Sequence, residues 1–191
     1  MENLVNCRLI KRADAVVDDI LQPNCASQPK NQDRIMLHPG AGSRRKRWPM
    51  TNFLEVEAML KSDGLKPAFI VGPAEEDLID SLQHPERTVY ALTDLLDLRE
   101  LLKSAGGYIG NDSGASHLAA FLGLPAVVIF GPADPKRWAP VGRNVEIVRP
   151  KMACHPCFEI GEANCDDPTC LTDTTPQQVF NAFCRKYSKR G

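Results

Sequence analysis

From Asp33 onwards, short apolar runs alternate with longer amphipathic segments. Runs at 34–37, 68–71, 88–91, 107–109, 126–130 and 145–148 predict strands, because each is brief, β-branched or aromatic, and bounded by Gly, Pro or polar residues. Segments at 50–61, 75–82, 96–104 and 115–122 predict helices between them, and a last helix is predicted from 176 to about 187. Pro49 suits the first position of its helix, and Gly64 suits the residue just past its end. Strands alternating with helices predict an α/β, Rossmann-like fold: a parallel sheet with helices on both faces. Its connections are right-handed, and its ligands lie beyond the carboxyl ends of the strands. Before this regular region, residues 13–21 predict a short helix and 22–32 a polar linker. The domain reading is therefore an interdomain-like segment at 1–32 and one ligand-binding domain at 33–191.

Composition narrows the function classes. A chain of 191 residues, 43% hydrophobic and 25% charged, can bury a sizeable core. Its formal net charge of −1 gives no global basic field, so nucleic acid is not the expected partner. The longest apolar runs, such as 125–130, are far too short to span a bilayer, which leaves peripheral membrane contact at most. The first residues scatter acids and bases and lack the order of a secretion signal. Seven cysteines without such a signal imply a reducing, cytoplasmic setting.

The candidate chemistry clusters after predicted strands. Residues 110–117 read GNDSGASH. A turn leading into a helix presents unpaired N–H groups to an anion, and here it carries an acid (Asp112), a hydroxyl (Ser113), a glycine (Gly114) and an imidazole (His117). That set suits a diphosphate and sugar; it equally suits an N-capped helix with Ser113 as the cap. Residues 38–49 read HPGAGSRRKRWP, placing Arg44, Arg45, Lys46 and Arg47 directly after a strand, where charge-assisted bonds to phosphate are available. A solvated basic loop is the plainer alternative. In GPAEED, residues 72–77, Glu76 is the candidate acid for a ribose diol, against a role as a helix first-turn acid. The proline-stiffened loop at 130–142 offers Lys136 and Arg137 to phosphate and Trp138 to a base, or the prolines only shape a turn. Neither GxGxxG nor a P-loop occurs. Cys154, Cys157, Cys165 and Cys170 form C-x2-C-x7-C-x4-C, which suits a structural zinc or a cluster of reduced thiols.

Taken together, HPGAGSRRKRWP, VGPAEED, GNDSGASHLAAFLGLPAVVIFGPADPKRWAPVG and the cysteine loop leading into DTTPQQVF resemble glycosyltransferase family 9, the ADP-heptose lipopolysaccharide heptosyltransferases. The resemblance runs from about Asp33 to Phe180 and implies the C-terminal, donor-binding domain of a two-Rossmann (GT-B) enzyme. It implies that Lys46 contacts the donor diphosphate and sugar, Glu76 the ribose and Asp112 the sugar, with Lys46 and Asp112 as the catalytic pair. Ser113 and Gly114 would hold the diphosphate through backbone and hydroxyl, with His117 beside it. Ala115 replaces a proline common in relatives, and Ala133 a frequent threonine. The donor would be ADP-heptose, with ADP as product and no metal required for catalysis. The acceptor would be the lipopolysaccharide core at the inner face of the inner membrane. Relatives place the acceptor site and the catalytic base in an N-terminal domain, which 32 residues are too few to form. Alternative expectations are another nucleotide-sugar transferase or epimerase of GT-B fold, and a non-catalytic, zinc-stabilised module.

Overall fold

The computed structural model describes residues 31–150, Cys157 and 169–188. The predicted helix at 13–21 lies outside them, as does most of the predicted linker. Six strands form the middle layer: β1 (Asn31–His38), β2 (Lys66–Val71), β3 (Thr88–Ala91), β4 (Ala105–Asn111), β5 (Ala126–Ile129) and β6 (Val145–Val148). Their spatial order is β3-β2-β1-β4-β5-β6, and every pairing is parallel. The helices are α1 (Met50–Ser62), α2 (Glu76–Leu82), α3 (Leu95–Ser104), α4 (Gly114–Phe121), α5 (Pro135–Trp138), α6 (Thr169–Thr172) and α7 (Pro176–Tyr187).

The two-residue period of a strand sorts the core onto two faces. Ile35, Leu37, Phe69, Val71, Ile109, Val127 and Ile129 pack on one face with Phe53, Val56 and Leu60 of α1 and Val179 and Phe183 of α7. Their chain neighbours Met36, Ala68, Ile70, Tyr108 and Ala126 pack on the other with Leu102 of α3 and Leu118 and Ala119 of α4. Burial on both faces explains why the strands read as continuous apolar runs.

Helix ends follow their local chemistry. Gly64 stands just past α1 at φ +79°, its N–H bonding Lys61 O while Leu65 N–H reaches Leu60 O. That is the left-handed helix stop a glycine makes without a Cβ penalty. Thr175 and Gln178 cap α7 reciprocally, with Pro176 in its first turn. Pro49 precedes α1 as its N-cap, one position before the predicted one. Strand β1 begins at Asn31, so the domain takes in the last residues of the predicted linker.

In this strand order the chain winds outwards both ways from β1 and β4. Loops leaving the carboxyl ends of those two strands diverge and open a crevice, the usual ligand position in doubly wound sheets. The β1–α1 loop carries the basic run and the β4–α4 turn carries Asp112 and Ser113, so the fold brings the two strongest motifs to one crevice.

Candidate functional site

The core of the site is the amino end of α4. Ser113 is its N-cap in extended backbone, and Gly114 is its first residue. The N–H groups of Gly114 and Ala115 precede any intrahelical partner and stand at the positive end of the helix dipole. Ser113 does not cap through its side chain. Its hydroxyl turns inward instead, 3.3 Å from His38 Nδ1 and 3.3 Å from Ser116 Oγ. Behind it, Ser116 Oγ donates to Asn111 O at 2.6 Å and lies 3.0 Å from the Tyr108 hydroxyl. Burial raises the Tyr108 phenol well above its ordinary range, so it stays protonated in this network.

On one flank of this turn, Lys46 Nζ donates to Asp112 Oδ2 at 2.9 Å. Both side chains are largely buried, with 16% and 9% of their surface exposed. The other three cations of the basic run have partners elsewhere. Arg47 makes two bonds to the Asp77 carboxylate and one to Ala74 O. Arg44 lies 3.2 Å from the same carboxylate, which Arg47 above all holds below its ordinary pKa. Arg45 donates to Cys157 Sγ at 3.7 Å. One cation of four thus faces the carboxylate beside the helix end.

On the other flank is a cleft of about 290 Å³. Ile70, Val71, Leu92, Leu95 and Leu98 give it apolar walls; His38, Glu75, Asp94 and Ser113 add polar groups, and Gly42 and Gly114 its rim. Glu75 is buried; its Oε2 accepts from Gly72 N–H at 2.8 Å and lies 3.9 Å from His38 Nε2. The His38 side chain first, and the Gly72 N–H after it, hold this carboxyl below its ordinary value despite burial. Gly40 makes room for it: a Cβ there would stand 2.4 Å from Glu75 Cδ.

The structure thus gathers Lys46, Asp112, Ser113 and Gly114 at one place, as the sequence predicts. It places the other two differently. Glu76 opens α2 with its side chain exposed, outside the residues that line the cleft; Glu75 is the buried carboxylate of the cleft wall, and Asp94 an exposed one. His117 is exposed one turn into α4 and does not line the cleft either. With the Ser113 hydroxyl turned inward, only backbone N–H groups face outward at this helix end, where the sequence suggests backbone and hydroxyl together. Trp138 is 44% exposed, and the Arg137 guanidinium covers one face of its ring at 5.1 Å. His38 and Glu75 are missed by sequence reasoning. The available signal for His38 is its position as the last residue of a strand that ends beside GNDSGASH. Of the cysteine set, Cys154 and Cys165 lie outside the described residues, while Cys157 and Cys170 are both buried. Among the described residues no group of three or more potential ligands comes together around a metal position.

Comparison with known proteins decides the family. The profile of glycosyltransferase family 9 (heptosyltransferase) matches residues 9–165. The chain belongs to glycosyltransferase family 9. Among curated relatives, lipopolysaccharide heptosyltransferase 2 of Salmonella typhimurium is 25% identical over 155 residues, covering 76% of this chain and 44% of its own. This family 9 chain thus spans about half the length of the curated relatives it matches. The Escherichia coli ADP-heptose lipopolysaccharide heptosyltransferase II structure superposes with a TM-score of 0.65 at 23% identity, covering 86% of this chain and 48% of that one. The E. coli heptosyltransferase WaaC with ADP gives 0.66 at 20% identity, covering 90% and 49%. At these identities the superpositions establish a shared fold, the Rossmann-like α/β domain described above.

Proposed function

We propose that this domain binds the nucleotide-sugar donor of a heptosyltransferase, with ADP-heptose as the donor and the lipopolysaccharide inner core as the acceptor. The observation that carries the reading is the Lys46–Asp112 pair beside the open amino end of α4, at the crevice between β1 and β4. Family membership and the ADP bound to a solved relative of the same fold support it.

In this reading the adenosine occupies the 290 Å³ cleft, its base against the Leu92 and Leu95 wall and its ribose towards Glu75 or the exposed Glu76. The diphosphate lies over the Gly114 and Ala115 N–H groups, and Lys46 meets it from the flank. During transfer, the acceptor hydroxyl oxygen bonds to the anomeric carbon while the bond from that carbon to the diphosphate breaks. Negative charge grows on the leaving diphosphate, where the Lys46 ammonium and the helix end stabilise it without reorganising. Asp112 fixes the ammonium and faces the sugar. The acceptor site and the base that takes the hydroxyl proton are assigned to residues outside these 191. A structural zinc on Cys154, Cys157, Cys165 and Cys170 is the remaining part of this reading, resting on their spacing alone, and plays no part in the transfer.

Calorimetry with ADP tests this. The expected dissociation constant is roughly 10 µM to 1 mM, about −7 to −4 kcal/mol. A folded chain that takes up no ADP at millimolar concentration overturns the donor-site reading.

A further inference from the structure

The side chain of Asn111, the last residue of β4, is fully buried and bonded at both of its polar atoms. Its Nδ2 donates to Pro39 O at 2.8 Å and to Gly40 O at 3.3 Å. Its Oδ1 accepts from Trp48 N–H at 3.0 Å. Those three backbone groups lie at the two ends of the loop between β1 and α1. One carboxamide therefore closes that loop at its start and at its finish, onto the strand end beside it. Lys46 sits within the closed loop, two residues before Trp48, and Asp112 is the next residue after Asn111. The backbone carbonyl of Asn111 also accepts from Ser116 Oγ at 2.6 Å, which ties the same point to α4. The basic loop, the carboxylate that holds Lys46 and the helix end thus meet at one amide.

We infer that Asn111 is a positioning residue for the donor site. It acts through Lys46, holding that ammonium in line with the amino end of α4, and touches no ligand itself. The inference rests on the donor-site reading above. A carboxamide is required, because only it offers an acceptor for Trp48 N–H and donors for two carbonyls in one planar group. Aspartate keeps the acceptor but turns a charged oxygen towards Pro39 O and Gly40 O.

A double-mutant cycle on ADP affinity separates positioning from general support of the fold, because residues that act as a unit fail to add. Four versions of the 191-residue chain are titrated with ADP: wild type, Asn111→Asp, Lys46→Ala and the double variant. The expected result is that Asn111→Asp weakens ADP binding about tenfold with Lys46 present. With Lys46 already removed, it should weaken binding by less than about threefold. Its effect on the melting temperature should be the same in both backgrounds. Equal weakening in both backgrounds overturns the inference and leaves the donor-site reading intact; absence of ADP binding by the wild-type chain overturns both. Asn111→Ser, which is shorter and uncharged, runs the same cycle if the aspartate variant does not fold.

Discussion

Four consecutive cations, Arg44 to Arg47, look interchangeable in sequence and are used in three ways in the fold. Arg44 and Arg47 hold Asp77 on α2, Arg45 reaches Cys157, and Lys46 turns in to Asp112. Lys46→Ala should therefore weaken ADP binding far more than Arg44→Ala. Loss of a charge-assisted bond in a largely buried setting removes about 1.5–3 kcal/mol, roughly ten-fold or more in affinity. It also leaves the Asp112 carboxylate facing the diphosphate. Arg44 is 78% exposed, and its loss should alter affinity by less than about 1 kcal/mol. Paired titrations check this; equal effects would refute the assignment of Lys46. The meeting of Lys46 and Asp112 beside Ser113 and Gly114 was legible because each lies in a motif of dense, unusual chemistry. The buried acid of the cleft was not legible. The turn at Gly72 enters a single 3-10 turn, Pro73–Glu75, and Glu75 folds back on its own Gly72 N–H. That shift of one position exchanges a buried carboxylate for an exposed one, and no periodicity in GPAEED encodes it.

At the scale of elements, α4 makes the sharpest separation between what the fold needs and what a ligand needs. Nothing lies within 4 Å of the position a Cβ on Gly114 would take, and Gly114 does not adopt a positive φ. The fold therefore tolerates alanine there, and a glycine replaced by alanine in a compatible helix position adds about 0.4–1 kcal/mol of stability. A diphosphate approaching the backbone N–H groups would not tolerate the methyl. Gly114→Ala should keep or raise the melting temperature while weakening ADP binding by about tenfold or more. Calorimetry and thermal unfolding on the same sample check this. Unchanged ADP affinity would remove the helix end from the site. The six strands and the five longer helices were legible in their sequence order, because strands buried on both faces give unbroken apolar runs; the four-residue helices α5 and α6 were not. Edges were less so. Strand β4 extends over Ala105–Asn111, beyond the predicted 107–109, because Gly106 and Gly110 carry no apolar signal. They are glycines for packing reasons: a Cβ on Gly106 would stand 1.7 Å from Gln32 O, and one on Gly110 2.4 Å from the Tyr108 hydroxyl.

For the whole molecule, the strand order decides where chemistry can occur. Alternating elements indicate a parallel sheet but do not by themselves rank six strands; the order β3-β2-β1-β4-β5-β6 comes from packing. That order puts two motifs 66 residues apart, at Lys46 and Asp112, within one hydrogen bond. The chain spans about half the length of its curated relatives. The proposal therefore assigns to these 191 residues donor binding without turnover. No heptosyl transfer is expected from them alone in an assay with ADP-heptose and a deep-rough lipopolysaccharide acceptor, and adding an acceptor-binding half from a close relative should restore some activity. Robust turnover by the 191 residues alone would place the base within them, and Asp112 would be the first carboxylate to replace. The central claim, that a nucleoside diphosphate lies across the amino end of α4 against Lys46, is tested most directly by following backbone amide resonances during an ADP titration. The amides of Ser113, Gly114 and Ala115 and those around Lys46 should show the largest shifts, saturating together. Saturable shifts confined to other loops, with the α4 amides unmoved, would contradict it.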